Sequence, residues 1–127
     1  MASFASRIRT AAVAVVLANV PLAGHHYGLS AFDGSKPVRI SGVLAKVEWA
    51  NPHAKFHVDV RTTGGAVERW IAETGSPGTL TRLGLDRGRL LIGERMTLSG
   101  FPARDGTRWM IVRTLTLSGG SAVDLSQ

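Results

Sequence analysis

The sequence predicts an all-β domain with one short helix, a small five-stranded antiparallel barrel of OB type behind an N-terminal signal peptide. Three observations carry this reading. Five segments between residues 38 and 117 have strand character, separated by Gly, Pro, Asn and Asp clusters. Ser76-Pro77 marks a helix start between the third and fourth of them. Gly42 lies inside the long first segment, where a strand shared by two sheets has to bend.

The 127 residues suit one domain, with 44% hydrophobic and 19% charged side chains. That balance excludes a disordered charged tail and a coiled coil. The absence of cysteine excludes a disulfide scaffold, thiolate zinc sites and cysteine nucleophiles.

Residues 1–24 read as the signal peptide. Arg7 and Arg9 form a basic start, and Ala11 to Leu22 is an uncharged, mostly apolar run that includes Asn19 and Pro21. Ala23 and Gly24 are small enough for a cleavage site. The run falls short of the roughly 20 apolar residues of a membrane span. The expected mature protein is therefore periplasmic or secreted, with no stable membrane span. Cleavage also removes two arginines, so the net charge of +6 is partly a targeting feature. Nucleic acid is not an expected partner.

Residues 25–37 form an irregular lead-in punctuated by Gly28, Gly34 and Pro37, and residues 38–127 form the barrel domain. Val38 to Trp49 is the first strand, with a change of phase expected at Gly42 and Val43 and Val47 facing the core. Ala50-Asn51-Pro52 ends it. In the second strand, Ala54 to Arg61, Phe56, Val58 and Val60 share one face while Lys55, His57, Asp59 and Arg61 share the other. Thr62 to Gly65 turns into a third strand, Val67 to Thr74, that contributes Trp70 to the core. The helix after Ser76 buries Leu80 and Leu83 and stops at Gly84. The fourth strand, Arg95 to Phe101, faces inward through Met96 and Leu98. Asp105-Gly106 makes a hairpin to the fifth, Trp109 to Leu117, with Val112 inward. A short piece follows around Val123 to Leu125.

Four histidines are the unusual inventory: His25, His26, His53 and His57. Neutral imidazole is the commonest protein metal ligand. His25, His26 and His53 are the candidate metal ligands, with copper the preferred metal. A cut after Gly24 makes His25 the first residue, so its amine and imidazole chelate one ion that His53 or another histidine completes. A cut after Ala23 leaves Gly24-His25-His26, which holds Cu(II) in a plane through the amine, two amides and an imidazole. His57, opposite the Phe56 face, is expected to face solvent and is left out. Asp33, Glu48 and Glu73 are the carboxylates nearest in sequence. Each could orient a ligating imidazole or pair with a neighbour such as Lys36 or Arg39. No motif for hydrolysis, nucleophilic catalysis or phosphate binding is present.

The segment from His25 and His26 through Phe32-Asp33, Lys36-Pro37-Val38, Gly42-Val43 and Val47 to Trp49-Ala50-Asn51-Pro52-His53 resembles a family of small exported bacterial proteins. That family is catalogued as domain of unknown function 6152. Glu73, Gly75, Ser76 and Pro77 resemble its Glu-x-Gly-Ser-Pro helix start, and Gly100 with Asp105-Gly106 its late strand pair. The likeness spans nearly all of the mature chain. Tyr27, Gly78 and Leu85 depart from the serine, asparagine and tryptophan usual there. The resemblance implies export and the extent of the domain, and it carries no activity with it. The function expected is thus an exported, non-catalytic barrel that binds metal through its histidines. The alternative is a metal-free interaction or accessory domain for a periplasmic protein partner, docking through residues 49–53.

Overall fold

The computed structural model describes residues 28–126. The expected signal peptide, His25 and His26 lie outside the described residues. The strands are β1 (Val38–Glu48), β2 (Lys55–Arg61), β3 (Val67–Glu73), β4 (Arg95–Pro102), β5 (Trp109–Leu117) and β6 (Ala122–Asp124); the helix α1 spans Pro77–Arg82. Hydrogen bonding orders them β3-β2-β1-β4-β5-β6, and β3 also pairs with β5. That last pairing closes five strands into a barrel, and β6 extends the outer edge of β5. The closing seam is parallel, Ile71–Glu73 against Trp109–Ile111, so the barrel is antiparallel except there.

β1 is long because it serves two ladders. Its first half pairs with β4, from Val38↔Gly100 to Val43↔Arg95, and its second half pairs with β2, from Val43↔Asp59 to Glu48↔Lys55. The halves meet at Val43, next to Gly42, where a Cβ would lie 2.5 Å from the Asp59 carbonyl oxygen and 2.7 Å from Val58 Cγ1. Only glycine lets the β2 backbone come this close. The phase of the strand does not change there, which corrects the expectation from sequence. Ile40, Gly42 and Leu44 all face inward, and the register shifts between Leu44 and Lys46. Val43 consequently lies outside the core and Leu44 takes its place. A bulge at Ala45 then restores Val47 to the inner side.

The core gathers Ile40, Leu44, Phe56, Val58, Met96, Leu98, Met110, Val112 and Leu115 from the strands. Val47, Val60 and Trp70 pack half-buried around it. Helix α1 closes one end. The Ser76 hydroxyl caps it by accepting from the Thr79 N–H at 3.2 Å, and Pro77 stands at its first position. Leu80 is fully buried, as expected, whereas Leu83 is half-buried. Gly84, at φ +82°, reverses the chain so that Leu85 enters the core at 1% exposure. The described part of the lead-in is fixed to the barrel. Phe32 is buried, bridges to Ala103 and meets Trp109 edge-on with centroids 5.9 Å apart.

Candidate functional site

The β1–β2 connection, residues 49–54, ends in a clamp. Ala54 is fully buried; its N–H donates to the Gly75 carbonyl at 3.0 Å. Its own carbonyl accepts from the Thr74 N–H and the Thr74 hydroxyl, both at 3.0 Å. The connection is thereby pinned to the junction of β3 and α1. Asn51-Pro52 is a cis peptide, and Ala50 through His53 are exposed.

The clamp places His53 against Glu73, the last residue of β3. Nδ1 of His53 lies 2.5 Å from Oε1 of Glu73. The side chains differ in environment: Glu73 is 7% exposed and His53 is 49% exposed. A carboxylate only accepts hydrogen bonds, so Nδ1 is the donor toward Glu73. Among the described residues nothing hydrogen-bonds Nε2. A buried carboxylate thus orients, through Nδ1, an imidazole that is itself half-exposed. That arrangement suits a metal ligand or a proton acceptor.

A second pair lies on the outer face of the sheet. His57 Nε2 is 2.9 Å from Glu48 Oε1, and Lys46 Nζ donates to the same oxygen at 2.7 Å. The Lys46 and His57 hydrogen bonds hold the Glu48 carboxyl below its ordinary range, the lysine contributing more. The His57 side chain is 15% exposed, so it is sheltered on that face rather than open to solvent as the sequence suggested. Strand register explains the shelter: His57 sits opposite Lys46 on one side and Ile71 on the other. Between the two histidine pairs stands Lys55, opposite both Glu48 and Glu73, with its ammonium 5.4 Å from the centre of the Trp109 ring.

Of the three candidate carboxylates, Glu73 meets His53 and Glu48 meets His57. Among the described residues Asp33 meets no histidine: it accepts from Ser35 and lies 3.6 Å from both Lys36 and Arg104. Among the described residues no group of three His, Asp or Glu side chains comes together to hold a metal ion. The sequence reading missed the Glu48–His57 pair, which required knowing that the β1 bulge sets Lys46 opposite His57.

The model of the family of unknown function DUF6152 matches residues 13–112, a span that includes His53, Glu73, β1 through β4 and the start of β5. The chain belongs to this family. No curated protein matches it in sequence. Among solved structures it is similar to the mitochondrial single-stranded DNA binding protein Rim1 of S. cerevisiae, with a TM-score of 0.52 and 9% identity over 68% of this chain and 96% of that one. It is also similar to the N-terminal domain of the PriB protein from Thermoanaerobacter tencongensis, with a TM-score of 0.47 and 16% identity over 64% of this chain and 93% of that one. The Rim1 likeness is one of fold and agrees with the OB-type closure. No helix among the described residues is long and apolar enough to cross a membrane.

Proposed function

We propose that this DUF6152 chain is an exported β-barrel module that binds one metal ion, copper by preference, through His53 and the histidines at positions 25 and 26. The Glu73–His53 pair carries the reading. Its buried carboxylate orients the imidazole through Nδ1, and Nε2 has no hydrogen-bond partner among the described residues. Signal cleavage supplies the rest of the site, since a free amine beside His25 or His26 adds nitrogen donors within a few bonds of each other. Nitrogen-rich sets of this kind favour Cu(II) among the divalent ions.

The test is Cu(II) affinity of the exported protein, its N-terminus verified by mass spectrometry. His53→Ala and Glu73→Gln are each expected to weaken binding by about 10–100-fold, the usual cost of losing a ligand or the group that orients it. An added N-terminal residue weakens it too, because both terminal geometries use the amine. Affinities unchanged in all three variants overturn the metal reading, and the exposed loop at residues 50–53 is then a docking surface for a protein partner.

A further inference from the structure

Between α1 and β4 the chain presents two large apolar side chains side by side. Leu91 is 61% exposed and Ile92 57% exposed. Isolated exposed leucines are ordinary, but an adjacent pair held outward by its own backbone is not. Leu90 is buried beneath them. Asp86 caps the 3-10 turn Arg87–Arg89 through the Arg89 N–H at 3.1 Å. On the other side the Gly93 N–H donates to the Leu44 carbonyl at 2.8 Å, and the Leu44 N–H donates to the Glu94 carbonyl at 2.9 Å. The loop is anchored at both flanks, so the pair cannot fold back into the core.

Four exposed arginines flank this tip along the chain: Arg82, Arg87, Arg89 and Arg95. Arg87 and Arg89 donate to the carbonyls of Leu90 and Gly84, and Arg82 donates to the Thr79 hydroxyl. None of the four forms an ion pair among the described residues. Against these four arginines, residues 82–95 hold two acids, Asp86 and Glu94, so the segment keeps a net charge of +2. An apolar tip within a net-basic stretch of chain complements an anionic lipid surface: phosphates meet the arginines while Leu91 and Ile92 enter the acyl boundary. Nucleic acid matches the charge but offers no hydrocarbon to the apolar pair.

We infer that residues 87–95 form a peripheral docking tip for anionic bilayers. This site is independent of the histidines. The chain has no cysteine, so Ile92→Cys takes a single environment-sensitive fluorophore, and Thr107→Cys, beyond the other end of β4, takes the same label as a control. Both chains carry the apolar segment at residues 11–22, so a shift caused by that segment is expected at both positions. The labelled full chains are titrated with phosphatidylglycerol vesicles and with phosphatidylcholine vesicles. The expected result is a blue shift at position 92 and none at 107, on phosphatidylglycerol only, reversed by about 0.5 M salt. Arg82→Gln with Arg95→Gln in the Ile92→Cys chain should reduce partitioning about 25-fold, since each arginine near an anionic surface contributes about fivefold. No shift at position 92, an equal shift at 107, or partitioning unchanged by the two arginine substitutions overturns the proposal. A shift that depends on protein concentration without vesicles also overturns it, making the tip a contact between copies.

Discussion

Gly42 shows how one residue governs both the fold and its legibility. Its inward position puts the would-be Cβ 2.5 Å from a backbone oxygen of β2, an atom that cannot swing aside. Gly42→Ala should therefore destabilise the protein by about 1–3 kcal/mol, the range for overpacking a close contact. Chemical denaturation of the two chains measures it, and equal midpoints would mean that β2 moves away at no cost. The same missing side chain hid the strand phase. In Ile40-Ser41-Gly42-Val43-Leu44, a glycine at an inward position looks like a break, and Val43 then competes with Leu44 as the inward residue. His53 and Glu73 were both visible as candidates. Their pairing depends on the β2–β3 register that sets Lys55 opposite Glu73 and brings the preceding loop to the end of β3.

At the scale of elements, local chemistry was the readable part. Ser76-Pro77 announced α1, Asp105-Gly106 announced the β4–β5 turn, and Phe56, Val58 and Val60 announced the face of β2; each rests on contacts within a few residues. The bulge at Ala45 was not readable, because it exists only in relation to the partner strand. Helix α1 has six residues, too few to be stable alone, so it depends on its cap and on Leu80. Ser76→Ala removes the acceptor for the Thr79 N–H and is expected to cost about 1 kcal/mol. Ser76→Asp, which restores an acceptor, should recover most of that loss. If both variants unfold at the wild-type midpoint, the cap contributes nothing and Leu80 alone holds the helix.

For the whole molecule, β3–β5 closure turns a bent sheet into a barrel. The order of elements in the sequence matches it, but the same strands also fit an open antiparallel sheet or a small sandwich, and the closing pairing decides between them. What the sequence could not supply is how the outer surface pairs its charges, since those contacts depend on strand register. Arg108 reaches Glu68 through two hydrogen bonds at 2.8 and 2.9 Å, and Arg69 reaches Asp59 through two at 2.7 and 2.8 Å. These bonds hold both carboxyls below their ordinary range. The Lys46 bond does the same for Glu48, and the Ser35 bonds for Asp33. The sign follows from linkage. A carboxyl that is more acidic in the folded state stabilises it fully above the unfolded values, here 4.5 for Glu and 3.8 for Asp, and loses that contribution as pH falls through the lower folded values. Thermal stability should thus be insensitive to these groups between about pH 5 and 7 and decline below about pH 4.5. The contribution of each pair is small, because all of them lie at the surface and are screened. Arg69→Gln and Arg108→Gln together should flatten the acid limb while lowering stability slightly at neutral pH. Melting curves from pH 2.5 to 7 test this, and an acid limb equally steep in the double variant would place the acid-sensitive groups elsewhere.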